Sequence, residues 1–203
     1  MKKLFILLSI GLCFVSTLYA GETLTAQQKE ARVWFGKGMY SFGTEQNQSA
    51  IDNYTKAIEL DPEYAAAYAN RAAAYHNIGQ TQQAIDDYTK AMEINPKLDA
   101  YCNRGKAYGK QGEYQQAIDD FTKAIKLNPE LSDAYRGRGV AYLSLELLTT
   151  ACDDFYEAGL LYLKQSDKKN ALTCVDLMKQ ADSKSPLIKK LMDKIYAEPK
   201  KSK

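Results

Sequence analysis

Two spacings recur through this 203-residue chain, and together they leave room for few folds. The aromatic residues Trp34, Tyr68, Tyr101 and Tyr135 stand 34, 33 and 34 positions apart. Each is followed 16 positions later by an alanine: Ala50, Ala84, Ala117 and Ala151. A period of that length marks a stacked array of small units. Inside one unit, Tyr68, Ala72 and Tyr75 fall at i, i+4 and i+7, one face of a helix, and Ala84, Tyr88 and Ala91 repeat the spacing on a second helix. Gly79 and Gly112 supply the break between the helices, while Pro62, Pro96 and Pro129 stop each second helix. Such a pair cannot bury its own apolar face, so neighbours must stack. The expected fold class is all-α.

The order aromatic, small, aromatic, then alanine, aromatic, alanine and proline is Tyr68, Ala72, Tyr75, Ala84, Tyr88, Ala91 and Pro96 in the second copy. In the third it is Tyr101, Gly105, Tyr108, Ala117, Phe121, Ala124 and Pro129. This pattern resembles the tetratricopeptide repeat. The resemblance implies a right-handed solenoid of four helix pairs over 31–163, at about 31–64, 65–97, 98–131 and 132–163, after a linker at 21–30. It also implies that the first helix of each pair lines a concave groove for an extended peptide or partner helix. Carried over residue by residue, the groove would be lined by Asn70, Ala73, Asn77, Asn103, Lys106, Lys110 and Arg136. Asn70 and Asn103 hold the same place in successive repeats, and an amide both donates to and accepts from a peptide backbone. The three cations would add a preference for acidic groups. The Lys and Asn arrangement of the family's chaperone-tail clamps is not reproduced, so that ligand is not implied.

The copies also depart from the family pattern. Arg71, Arg104 and Arg138 stand where the family usually has leucine, and each second helix carries an acidic pair: Asp86 and Asp87, Asp119 and Asp120, Asp153 and Asp154. The expected arrangement is an arginine stem packed between helices with its guanidinium on one of these aspartates. The first copy lacks an aromatic at Ser41, and Gly43 to Gln48 suggests a looser turn there.

Both ends of the chain differ from the array. Lys2 and Lys3 precede an apolar run from Leu4 to Val15, and Ala20 offers a small-residue exit before Gly21. This reads as a signal peptide over 1–20, with export to the periplasm or outside the cell. The alternative is a membrane anchor left uncleaved. At 164–203, Ser166 is placed to cap a helix carrying Ala171, Val175 and Met178, and Ser185-Pro186 starts another carrying Leu187, Leu191 and Ile195. These two helices are expected to cover the last apolar flank of the array. The competing reading makes the last one an amphipathic membrane binder.

Charge and chemistry narrow the function. Without residues 1–20 the chain holds 25 basic and 25 acidic residues, with 11 lysines and 5 acids from Lys164 onward. That is not a nucleic-acid binder's distribution. One histidine, His76, and no cysteine pair at ligand spacing argue against a metal site. No phosphate loop or nucleophile elbow is present, and acids that recur with the repeat suit structure better than catalysis. No cofactor is implied, and the chain reads as a non-enzyme. Cys152 and Cys174, on successive helices, could pair or could be buried thiols. The function expected is an exported adaptor that binds a peptide or partner protein; the alternative is a structural subunit of an envelope-associated assembly.

Overall fold

The computed structural model describes residues 24–97 and 100–197, so the segment 1–20, expected to be a signal peptide, lies outside the described residues. Ten α-helices and no strand occupy the described part. They are α1 (Ala26–Gly43), α2 (Asn47–Leu60), α3 (Ala65–Asn77), α4 (Thr81–Ile94), α5 (Tyr101–Gln111), α6 (Tyr114–Leu127), α7 (Ser132–Ser144), α8 (Leu148–Lys164), α9 (Lys168–Ala181) and α10 (Pro186–Ile195). Each helix packs on its sequence neighbours, and α5 also meets α7 as α1 meets α3. The result is an all-α solenoid of helix pairs.

Helix α1 begins inside the segment expected as a linker. Thr25 and Gln28 form a capping box there: the Thr25 hydroxyl accepts from the Gln28 backbone, and the Gln28 side chain accepts from the Thr25 backbone. The turn between α1 and α2 is no looser than its counterparts. It spans 44–46, as the α3–α4 turn spans 78–80. All of these turns pass through the left-handed region, at Gly79 (φ 81°), Gly112 (φ 83°), Glu45 (φ 60°) and Glu146 (φ 60°). Between pairs the chain turns differently. Asp61, Asn95 and Asn128 are extended ahead of their prolines, and each side-chain oxygen accepts a backbone N–H two residues on.

The recurrent aromatic of the second helix wedges against the first. A Cβ on Gly38 would lie 2.5 Å from the Tyr54 ring, and one on Gly139 would lie 2.7 Å from Phe155. These contacts explain why glycine holds this place in the first and last repeats despite its poor helix propensity. Tyr54 is fully buried and its hydroxyl has no protein partner, whereas the equivalent positions in the third and fourth repeats are Phe121 and Phe155. An unsatisfied buried hydroxyl is a liability. Tyr54→Phe is therefore expected to raise stability by about 1 kcal/mol, which corresponds to a melting shift of roughly 2–4 °C in a chain of this size. Thermal denaturation followed by circular dichroism measures it, and a lower melting point would show that the hydroxyl is supported.

The arginines form a ladder of braces. Arg71 donates from Nε and Nη2 to both carboxylate oxygens of Asp87, at 2.7 and 2.9 Å. Arg104 does the same to Asp120 at 2.7 and 2.9 Å, and Arg138 to Asp154 at 2.8 and 2.8 Å. The remaining Nη1 reaches back to a threonine on the second helix of the preceding repeat: Thr55, Thr89 and Thr122. Each guanidinium also lies between the two aromatics of its own helix, for example 5.9 Å from Tyr101 and 5.6 Å from Tyr108. One arginine thus ties three helices. The second aspartate of each pair is buried in the brace; the first, Asp86, Asp119 or Asp153, is exposed.

At the C-terminal end, α8, α9 and α10 share one core built on Phe155, Tyr162, Val175, Met178, Leu191 and Ile195. Asp167, not Ser166, caps α9, accepting from the Asn170 backbone at 3.0 Å. Ser166 itself takes the left-handed turn position (φ 62°), which removes it from capping geometry. Ala171, Val175 and Met178 are buried as the periodicity requires. In α10, Leu191 and Ile195 are buried and Leu187 is half-buried. Cys152 and Cys174 are both free and buried: the Cys152 thiol donates to the Met178 carbonyl at 3.8 Å, and burial pushes the Cys174 thiol up to about 12.

Candidate peptide-binding cleft

A cleft of about 280 Å³ opens between α5 and α7 on the face made by the first helices. Its size follows from small side chains. Gly137 stands in α7 where the two preceding repeats carry Asn70 and Asn103, and a Cβ there would lie 2.4 Å from the Phe121 ring. Gly105 and Gly109 on α5 complete the small-residue wall, with Phe121, Tyr114, Val140 and Ala141 as apolar lining. Lys106, Lys110, Arg136 and Asp133 supply the charge.

Three of the seven residues expected in the groove, Lys106, Lys110 and Arg136, therefore meet in one place. The other four do not line this cleft. Asn70 spends its amide on the Ala66 carbonyl of its own helix, at 2.8 Å. Asn77 donates to Asn47 at 3.2 Å, Asn103 is exposed, and Ala73 is half-buried. The two equivalent asparagines thus differ in surroundings, and Gly137 ends the row.

Asp133 is the hub that sequence reasoning passed over. Its Oδ2 accepts from the Lys106 ammonium at 2.8 Å, and its Oδ1 accepts from Arg136 at 3.1 Å and from the Tyr162 hydroxyl. Arg136 also donates to the Tyr162 oxygen at 3.0 Å. Partial burial pushes the Asp133 carboxyl up, but the bonds from Lys106, Tyr162 and Arg136 outweigh it and hold the group far below the usual carboxylate range. A faint sequence signal for this pairing exists. Lys106 and Asp133 are 27 positions apart, one repeat less two helical turns, which keeps them on the same face of adjacent first helices although two turns apart in level. Lys110 is less engaged, with one long contact of 3.4 Å to the His76 carbonyl. Burial first, then the charges of Lys110 and Lys106, lower the pKa of His76, so its ring adds no positive charge at neutral pH.

Among the described residues the cleft thus combines an apolar floor with three cations and one carboxylate. It offers a seat for an apolar side chain and charge for an anion beside it. Among the described residues no group of side chains is arranged to hold a metal ion, and no helix is long and apolar enough to cross a membrane.

Known proteins share this architecture. The pattern described as "Tetratricopeptide repeat" matches residues 65–98 and 98–131, and "TPR repeat" matches 44–79. The Arabidopsis OM64 TPR domain is 34% identical, over 58% of this chain and 98% of that one, with a TM-score of 0.57. This chain belongs to the tetratricopeptide-repeat family. The first TPR of Spaghetti (RPAP3), bound to HSP90 peptide SRMEEVD, is 28% identical over 58% of this chain and 97% of its own, with a TM-score of 0.56. YrrB, a TPR protein with an unusual peptide-binding site, is 19% identical over 83% and 98%, with a TM-score of 0.54, a likeness of fold. Tetratricopeptide-repeat proteins are generally scaffolds and adaptors for proteins or peptides rather than enzymes.

Proposed function

We propose that this tetratricopeptide-repeat protein is an exported adaptor that holds an acidic segment of a peptide or partner protein in its concave groove, at the α5–α7 cleft. The convergence of Lys106, Lys110 and Arg136 around an apolar floor carries the reading. These cations stand out from their setting, because residues 21–163 carry six more acidic than basic side chains. The Spaghetti domain, a relative in the same family, is bound to an acid-rich peptide. Export rests on the basic start and apolar run of residues 1–20, and a mature chain beginning at Gly21, seen by intact mass in an extracytoplasmic fraction, supports it.

Neutralising Lys106 and Lys110 together is expected to weaken binding of a partner co-purified from that compartment by about tenfold or more, and added salt should weaken the wild type likewise. Isothermal titration with the isolated partner measures both. The competing role, a subunit fixed in a larger assembly, has its own observation: Leu145, Leu147 and Leu148 are exposed together at the turn between α7 and α8. Binding that ignores the two lysines but falls when these leucines become polar would replace the groove reading with that one.

A further inference from the structure

The groove contains a carboxylate of its own. We propose that Asp133 is a resident competitor for the ligand: it occupies Lys106 and Arg136, the cations an incoming carboxylate needs, and so sets a threshold that only multiply acidic ligands cross. This inference rests on the groove reading above.

Three features of the geometry point to competition rather than to scaffolding alone. Asp133 engages both cations at once, through different oxygens, as a bound carboxylate would. The site is half-open: Lys106, Arg136 and Asp133 are 38%, 36% and 44% exposed, whereas the structural braces keep their carboxylates at 3–10%. A ligand can therefore reach the same atoms. Finally, the Tyr162 hydroxyl on α8, which is not part of the cleft lining, also donates to the carboxylate, so Asp133 is held in place by a group outside the cleft. Lys110 is the cation left for first contact, since among the described residues its one polar contact is the long one to the His76 carbonyl. A ligand bearing one acid gains Lys110 only. One bearing several gains Lys110 and enough attraction to share or displace the bonds of Asp133.

The test uses the full mature chain and pools of fluorescein-labelled octapeptides. One pool carries a single acid with one large apolar residue, and a second carries three acids with the same residue. A third replaces every acid with its amide. Each pool is made with a free and with an amidated C-terminus, which separates a chain-end carboxylate from side-chain acids. Fluorescence anisotropy is expected to show the three-acid pool bound by wild type and the single-acid pool bound far more weakly. Asp133→Asn should tighten the single-acid pool by about five- to tenfold, the gain expected from freeing two half-exposed cations. It should also narrow the gap between the two pools. Asp133→Glu keeps the charge on a longer arm and should remain as selective as wild type. Melting curves confirm that both variants are folded.

Tightening by Asp133→Glu equal to that by Asp133→Asn, or no tightening by Asp133→Asn, overturns the competitor role. Failure of the groove reading looks different: no acidic pool would bind better than the amide pool, or Lys110→Ala would leave binding unchanged. Binding that needs Lys110 but is indifferent to Asp133 keeps the groove and removes the competitor.

Discussion

Replacing Asp120 with alanine is expected to destabilise the protein by about 3 kcal/mol, the low end of the cost of stripping a buried ion of its partner. The reasoning starts from burial. The Asp120 side chain is 3% exposed and that of Arg104 is 14%, so neither is solvated well enough to stand alone. Removing the carboxylate takes away two short charge-assisted bonds and leaves a guanidinium held by Thr89 and two aromatic faces. Total stabilities are typically about 5–15 kcal/mol, so the loss is a large fraction. Urea denaturation gives the number directly. The double variant Arg104→Leu with Asp120→Ala should recover much of the loss, because no uncompensated charge then remains. A double variant no better than Asp120→Ala would show that the arginine stabilises by packing and cation–π contact rather than by its charge pair.

Deleting Ser185 onward should cost roughly 3–6 kcal/mol, at about 1.5–3 kcal/mol for each large side chain withdrawn from full burial. Leu191 is fully buried and Ile195 is 6% exposed. The Leu191 tip lies 2.4 Å from where a Cβ on Gly159 would sit, so α10 closes directly onto the α8 backbone. Truncation also uncovers the flank of Val175 and Met178 in the same core. In a linear array such a loss falls on the nearest neighbours first. Calorimetry should show α7–α9 melting ahead of the rest, and sedimentation should show self-association through the bared face. A single unshifted transition in a monomer would show that α10 contributes nothing to the array.

The array was legible because its information is periodic. The aromatic and alanine of Tyr68 and Ala84 are 16 positions apart in all four copies, and the arginine and aspartate of Arg104 and Asp120 in three of the four, so aligning the copies reveals which residues meet. That alignment offers each arginine an aspartate pair 15 and 16 positions on, and the brace uses the second of the two. The cap was legible as two helices but misread at its start. Ser166 and Asp167 are both ordinary caps by type, and only the left-handed backbone at Ser166 decides between them. The site was half legible for a related reason. Lys106, Lys110 and Arg136 were named from their place in the repeat, but the cleft exists because one copy breaks the pattern, with Gly137 in place of an asparagine. Asp133 and Tyr162 belong to a different repeat from Lys106, at offsets of 27 and 56, neither of which is the repeat spacing itself. Their meeting depends on how neighbouring helices slide and turn against one another.

The brace ladder has a consequence for the length of the molecule. Each arginine looks backward to a threonine and across to an aspartate, so an interior repeat presents the same socket that it fills. A copy of 65–97 inserted after itself would meet matching groups on both sides. The ends lack that property: Lys37 and Asn53 stand in the first repeat where arginine and aspartate would be, and Tyr156 replaces the threonine in the last. Growth by internal duplication is thus open to this array, while its first and last repeats lack the matching groups. A lengthened descendant would keep both ends, and its α5–α7 cleft would simply lie farther from the N-terminus.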